Sequence, residues 1–508
     1  MAHPLIPDGV VDVAEQQRRD EQRWRKVAVA FAVFAVITGV IANATAPAGF
    51  SVAFATLVVS AVAAFLRPPV GLHLIVFFSL VGDTATSPWW PFTKNMSSRE
   101  SMFFVSDGLS FTPLEVMLVV TSVAVLLRAL SDPTWRFRRG RLLLPLTAFS
   151  ALVAFGFARG FLSGGDRTIA LFEVRPLVYL PTLYVLFTNL FTSRRQYRLT
   201  FALAAVAIAL QSVFALSYWR GLAPEQRELL ETLTEHTASL ANDLVILFFL
   251  GLIAFRGTRW KKWALVPLLV PIVWTYILSQ RRAGMIALFI GLMVLFAVVF
   301  LRDRRLFWRI TPPIVLAAIL LVAATWNASG AIGLPATAVK TALFPGQLDE
   351  ADQRSNFYRE LEAYNLWFTI RVNRLFGVGF GHPFLVVRPM PDISFFAYWQ
   401  YLPHNSVLWI WLKTGFLGFV TMLYMIARAI QHGARSAMRT VRSDDTAMIV
   451  AALGYVLMFI VFAYVDIAWD IRPSILLALM FALCADFVDL PDDPPQPVPP
   501  PVRSLVAS

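Results

Sequence analysis

Apolar residues recur along this chain in runs too long for a soluble core. Soluble helices bury apolar stretches of about 10 to 14 residues, whereas a bilayer-spanning helix needs about 20. Apolar runs predict spans at 27–44, 50–66, 70–82, 112–130, 142–161, 170–191, 199–219, 240–255, 263–280, 283–301, 312–328, 405–429, 446–465 and 471–487. The pattern predicts an all-α, polytopic transmembrane helical bundle of about 12 to 14 spans. Segment 1–26 is basic and assigned to the cytoplasm, 27–328 holds transmembrane helices 1–11, and 329–404 is a long external loop. Helices 12–14 occupy 405–487, and the proline-rich tail 488–508 reads as a disordered cytoplasmic extension.

Polar positions between the runs set the orientation. Arg136-Phe137-Arg138-Arg139, Arg194-Arg195, Arg259-Trp260-Lys261-Lys262, Arg302-Asp303-Arg304-Arg305 and the stretch from Arg428 to Arg442 fall on alternate connections. Loops rich in Lys and Arg stay inside, so the N-terminus is cytoplasmic and 83–111 and 329–404 face outside. Ala44-Thr45-Ala46 loosely matches a signal-peptidase site, but the long polar leader and the many later spans argue against cleavage. Within the second external segment, Phe357, Leu361, Tyr364, Phe368, Val372 and Leu375 recur at helical spacing, with Arg354, Arg359, Glu362, Arg371 and Arg374 elsewhere. This predicts an amphipathic helix, either lying on the membrane surface or packed in a small external subdomain. Loops of this length are usually functional.

Composition narrows the class further. Of 508 residues, 57% are hydrophobic and 15% charged, against about 25% charged in soluble domains. The net charge of +12 is spread in short clusters between spans, a pattern of topology signals rather than of a nucleic-acid-binding module. The single cysteine, Cys484, excludes a disulfide or a cysteine metal site within the chain.

Candidate chemistry sits where polar residues break the pattern. The turn Ser279-Gln280-Arg281-Arg282-Ala283-Gly284 puts two arginines on the external side, against the positive-inside rule. Arginine at membrane depth costs about 2.5 to 3.5 kcal/mol on insertion scales, so the pair either engages an anion or snorkels to headgroups. Arg175, near the external end of the sixth span, poses the same choice. In Pro403-His404-Asn405-Ser406 a histidine opens a span from the external side. The helix dipole and the nearby arginines disfavour its imidazolium, so the ring is expected to be neutral and able to accept a proton, unless it is simply a cap. The glycines of Gly377-Val378-Gly379-Phe380-Gly381 either bring backbone amides to a phosphate or make a turn; their place in a loop excludes a dinucleotide fold. Glu173, Asp243, Asp466 and Asp470 are further candidate bases, or partners of buried arginines and of Arg472.

Read together, these stretches resemble the O-antigen ligase and O-antigen polymerase superfamily of bacterial membrane glycosyltransferases. Leu278 to Gly284 is similar to the family's serine-arginine-small-residue turn, with Arg282 in the arginine position and Arg281 where serine is more usual. Asn373 to Gly381 is similar to its glycine-rich segment, and His404-Asn405-Ser406-Val407-Leu408, continued by Thr414-Gly415-Phe416-Leu417-Gly418, to its histidine-asparagine signature. Glu173 to Tyr179 resembles an earlier arginine-containing helix.

The resemblance implies a GT-C-like fold and a glycan donor carried on undecaprenyl pyrophosphate, with no metal or other cofactor. It implies a multi-pass protein of the bacterial inner membrane whose site faces the periplasm. His404 then becomes the general base, and Arg282 and Arg175 stabilise the departing pyrophosphate; Arg281, Asn405, Gly377, Gly379, Gly381 and Arg374 bind substrate. The partners implied are that donor, a glycan, lipid or protein acceptor, and the lipid bilayer, with no nucleic acid. Ligation and polymerisation both remain open. The alternative is a lipid-linked oligosaccharide flippase, which is disfavoured because transporters usually show two related halves and this chain shows no evident repeat.

Overall fold

The computed structural model describes residues 48–493 except 84, 88, 89, 91, 93–102, 107, 108, 229, 231, 329, 349, 394, 395 and 397. The basic segment, the first predicted span at 27–44 and the tail beyond 493 lie outside the described residues. Two compact units divide at Arg136. The first contains α1 (Ala48–Leu66), α2 (Pro68–Val81), the antiparallel hairpin β1 (Phe103–Ser106) and β2 (Leu109–Phe111), and α3 (Pro113–Ser131). The hairpin is the departure from the all-helical expectation, and it falls in the predicted external segment 83–111.

Gly71 sets how the three helices meet: a Cβ there would lie 2.5 Å from Thr121 Oγ1 and 2.8 Å from Ala64 Cβ. Close approach at a small residue replaces the hydrophobic effect that lipid cannot supply between helices. Thr112 and Glu115 close a reciprocal cap at the start of α3. The aromatic run after α2 folds back on it, with Phe92 stacked on Phe78 at 4.4 Å and Trp90 Nε1 donating to the Phe78 carbonyl.

The second unit is a helical bundle of α4 (Leu143–Leu162), α5 (Arg167–Leu190), α6 (Arg194–Gly221), α7 (Pro224–Glu228), α8 (Ala238–Ala254), α9 (Arg259–Leu278), α10 (Arg282–Arg302), α11 (Arg304–Ala324), α12 (Gly330–Leu343), α13 (Glu350–Val372), α14 (Ser406–Arg439), α15 (Ser443–Val465) and α16 (Ile471–Ala485). Among the described residues of the chain, nine helices are long and apolar enough to cross a membrane, and four more are apolar but shorter. The protein is a multi-pass membrane protein. At its centre, α15 packs on α8, α10 and α14, and α16 on α5 and α14. Nearly every side chain of α16 is buried. Glycines again mark the crossings: Gly433 faces Cys484, Gly251 faces Ala447 and Gly454 faces Leu247.

Several boundaries move for physical reasons. The helix predicted at 312–328 begins at Arg304, because Asp303 accepts the Leu306 N–H and caps a polar first turn that an apolar count ignores. The span predicted at 405–429 runs to Arg439 and kinks at Gly415, whose φ of 77° suits glycine. In the predicted long loop there are two helices, α12 and α13. On α13 the predicted stripe members Phe357, Tyr364, Phe368 and Val372 are exposed, while Tyr358, Glu362, Asn365, Leu366, Thr369 and Ile370 are buried. An apolar face left open and a largely polar face turned inward fit a lipid-facing helix that packs on its polar side. The tail is more ordered at its start than expected. Arg194 N donates to the Pro491 carbonyl at 2.8 Å, and Asp492 accepts from Arg198 at 2.8 Å.

Candidate active site

The starts of α5, α8, α10 and α14 and the ends of α4, α9 and α15 share one end of the second unit. Gly381 N donates to Glu173 on α5, Ser279 after α9 meets Thr234 before α8, and Ser406 on α14 reaches the backbone of Asp466 after α15. Contacts of other basic side chains, including Arg302 to Thr440 and Lys261 to Asp444, lie at the opposite end.

His404 precedes α14 and is fixed by α13. Its Nδ1 lies 3.2 Å from both oxygens of Glu362, and its backbone N–H donates to Glu362 at 2.9 Å. The Glu362 side chain is only 3% exposed. A carboxylate can only accept, so Nδ1 carries the hydrogen and Nε2 is left with its lone pair, held edge-on beside Tyr358 at 5.8 Å. Glu362 places a buried carboxylate against this ring from 42 residues away. Asn405 caps α14, accepting the Leu408 N–H at 2.9 Å, which commits its side-chain oxygen to the helix.

The arginine pair diverges from the turn between α9 and α10. Arg281 hydrogen-bonds Thr232 at 3.0 Å and lies 3.2 Å from His236, whose Nδ1 is 2.8 Å from Asp466. Burial raises the Asp466 carboxyl most, but the combined pull of His236, Arg281 and Arg359 outweighs it and holds the group below the usual carboxylate range. Arg282 goes the other way, to Thr341 on α12 at 3.1 Å and Asp352 on α13 at 3.1 Å. Arg472 pairs with Glu235, and Asp470 caps α16 by accepting the Ile471 N–H. Arg175 is half-buried one turn beyond Phe172, whose ring stacks on Tyr398 at 4.7 Å in the segment leading to His404.

Gly377, Gly379 and Gly381, which the sequence leaves as either a phosphate cradle or a turn, lie in a segment that packs tightly between helices. The amides of Gly377, Val378, Phe380 and Gly381 donate to Asn373, Leu412, Gly156 and Glu173. All three glycines have φ between 67° and 91°, and a Cβ on Gly379 would lie 2.6 Å from the Gly160 backbone. The segment is a packing clamp across α4, α5 and α14. Arg374 sits beside it on the surface, its carbonyl accepting from Trp411 at 3.0 Å.

Beneath the clamp Glu173 is paired with Lys413 of α14 at 2.7 Å, both fully buried, which removes Glu173 from the candidate bases. Asp243, another candidate base, is buried on α8. Breaking a buried pair from one side leaves an uncompensated charge. Lys413→Met is expected to destabilise the fold by about 3 to 5 kcal/mol, and Lys413→Met with Glu173→Leu to recover most of it. Thermal unfolding followed by size-exclusion in detergent checks this; equal losses in the single and double variants would contradict it.

Four functional candidates were not read from the sequence: Glu362 as the partner of His404, His236, Lys413, and Tyr358 beside the ring. Glu362 carried a signal, because Tyr358, Glu362, Asn365 and Thr369 form a polar face at helical spacing. His236 carried a weaker one, since it too precedes an apolar span from the predicted external side.

The class these features define is a multi-pass helical membrane protein with a histidine–carboxylate pair and fixed arginines clustered at one end of the bundle. Residues 267–423 match the family model described as O-Antigen ligase, so the chain carries a segment of that type and the resemblance to the O-antigen ligase and polymerase superfamily holds. The chain is also 31% identical over 122 residues to the O-antigen ligase of Salmonella typhimurium, a match covering 22% of this chain and 30% of that relative.

Proposed function

We propose that the protein is a membrane glycosyltransferase of cell-surface polysaccharide biosynthesis, moving a glycan from an undecaprenyl-pyrophosphate donor to an acceptor hydroxyl at the outer face of the cytoplasmic membrane. The observation that carries this reading is the His404–Glu362 pair standing at the same end of the bundle as Arg281 and Arg282. His404 Nε2 takes the proton of the acceptor hydroxyl as its oxygen attacks the anomeric carbon, while Glu362 holds the ring. Arginine suits the diphosphate because its planar fork binds phosphate oxygens in bidentate fashion and keeps its charge. Arg282 and Arg281 stabilise the leaving diphosphate, Arg175 supports them from α5, and the open apolar face of α13 meets the lipid. The fold is read as GT-C-like, and the site as facing the periplasm.

Incubating purified protein with a lipid-linked oligosaccharide and sizing the products tests the reading. One added block marks a ligase and a ladder marks a polymerase; unchanged donor and acceptor would contradict both.

A further inference from the structure

The end of the bundle that holds His404 holds a second histidine in the same arrangement. His236 Nδ1 lies 2.8 Å from Oδ1 of Asp466, whose side chain is 2% exposed, while the His236 side chain is 39% exposed. Asp466 can only accept, so Nδ1 carries its hydrogen toward the carboxylate, and Arg281 Nη1 at 3.2 Å lies beside the ring as a cation rather than as its donor. No hydrogen bond reaches Nε2 from the described residues, and with the side chain part-exposed this second ring nitrogen is accessible to a ligand. The two histidines are mechanically connected. Ser406, two residues after His404, donates to the Asp466 carbonyl at 3.1 Å and accepts from Ala468 N at 2.9 Å. Arg359, one turn before Glu362 on α13, contributes to the charge acting on Asp466.

We propose that His236 is the proton donor to the departing diphosphate, the counterpart of His404 at the acceptor; this rests on the glycosyl-transfer reading above. The two rings differ in company. His404 is flanked by Tyr358 and Glu362, whereas His236 stands against Arg281, in the turn assigned to the diphosphate. The charged groups at the His236–Asp466 pair are Asp466 after α15, Arg281 between α9 and α10, the adjacent Glu235 with its partner Arg472 on α16, and Arg359 on α13, which acts on Asp466.

The step balances. The acceptor oxygen bonds to the anomeric carbon as the bond from that carbon to the phosphate oxygen breaks, with its electron pair going to the phosphate. The acceptor proton passes to His404 Nε2, and His236, taking part as the imidazolium with a hydrogen on each ring nitrogen, passes its Nε2 proton to the leaving diphosphate. Proton exchange with water then resets both rings.

A base must be unprotonated and an acid protonated, so the single-turnover rate should rise and then fall with pH. The test follows that rate from about pH 5 to 9 in nanodiscs with an undecaprenyl-diphosphate oligosaccharide, measuring donor affinity in parallel. His236→Gln is expected to slow transfer about 10- to 100-fold and to abolish the fall at high pH, with donor affinity within about threefold of wild type. Asp466→Asn gives an independent reading should His236→Gln fold poorly. Asp466 is the acceptor that holds Nδ1, so its loss should slow transfer in the same direction as His236→Gln, with donor affinity again within about threefold of wild type. A wild-type rate in His236→Gln, a retained high-pH fall in that variant, or a wild-type rate in Asp466→Asn would each overturn the proposal while leaving glycosyl transfer by the wild type intact. Absence of transfer by the wild type at every pH would overturn the underlying reading itself.

Discussion

His404→Ala should lower turnover by about 10² to 10⁴ while leaving donor affinity nearly unchanged, because a neutral imidazole contributes little to holding a diphosphate. The structure adds a second arm to this expectation. Glu362 accepts from both the ring and the backbone N–H of His404, so it sets the tautomer that leaves Nε2 able to take a proton. Glu362→Gln keeps the shape but offers an amide N–H to Nδ1, which turns the ring's lone pair away from the acceptor. Turnover should fall about 10²-fold or more, as it does when other histidine bases lose their orienting carboxylate. Single-turnover rates and donor binding in nanodiscs, after each variant is confirmed as folded, measure both. Wild-type turnover in His404→Ala would remove the general-base role. A full effect in His404→Ala with none in Glu362→Gln would leave the histidine and remove its partner.

Arg282→Ala should behave differently, weakening donor binding as well as turnover. A charge-assisted hydrogen bond is worth about 1.5 to 3 kcal/mol, so the loss in donor affinity should be about 10- to 100-fold. Arg282→Lys should rescue only partly, since ammonium restores the charge without the planar fork. Arg282 also joins α10 to Thr341 on α12 and Asp352 on α13, and that alternative is separable. Asp352→Asn removes a carboxylate that competes with an anion for the arginine, so donor affinity should hold or rise. If Asp352→Asn and Arg282→Ala both lose stability and neither changes donor affinity, Arg282 is a strut between helices.

The bundle was legible because lipid imposes one requirement on every span, a long apolar run, and that requirement is local in sequence. Local readings failed where a helix extended through polar residues: the first turns of α11 are basic and capped by Asp303, and the last turns of α14 carry Arg435 and Arg439. His404, Arg281 and Arg282 stood out because each breaks a pattern at its own position. Their partners did not. Glu362 lies 42 residues from His404, and Asp466 lies 230 from His236; only packing brings them together. The glycine segment leaves two readings open, an anion cradle or a turn, because spacing says nothing about where the amides point; the amides of Val378, Phe380 and Gly381 are engaged by α14, α4 and α5. Lys413 was hidden by the apolar run around it, although a lysine kept inside a span implies a buried counter-charge, here Glu173.

Release of the lipid diphosphate is the step that separates glycosyl transfer from transport. Purified protein in nanodiscs, given an undecaprenyl-diphosphate-linked oligosaccharide labelled in both lipid and glycan together with an acceptor glycan, should release one lipid diphosphate for each glycan joined to acceptor. Both signals should vanish together in His404→Ala. A donor that stays intact in nanodiscs, but that the same protein moves from one leaflet to the other in sealed liposomes, would contradict glycosyl transfer and identify a flippase.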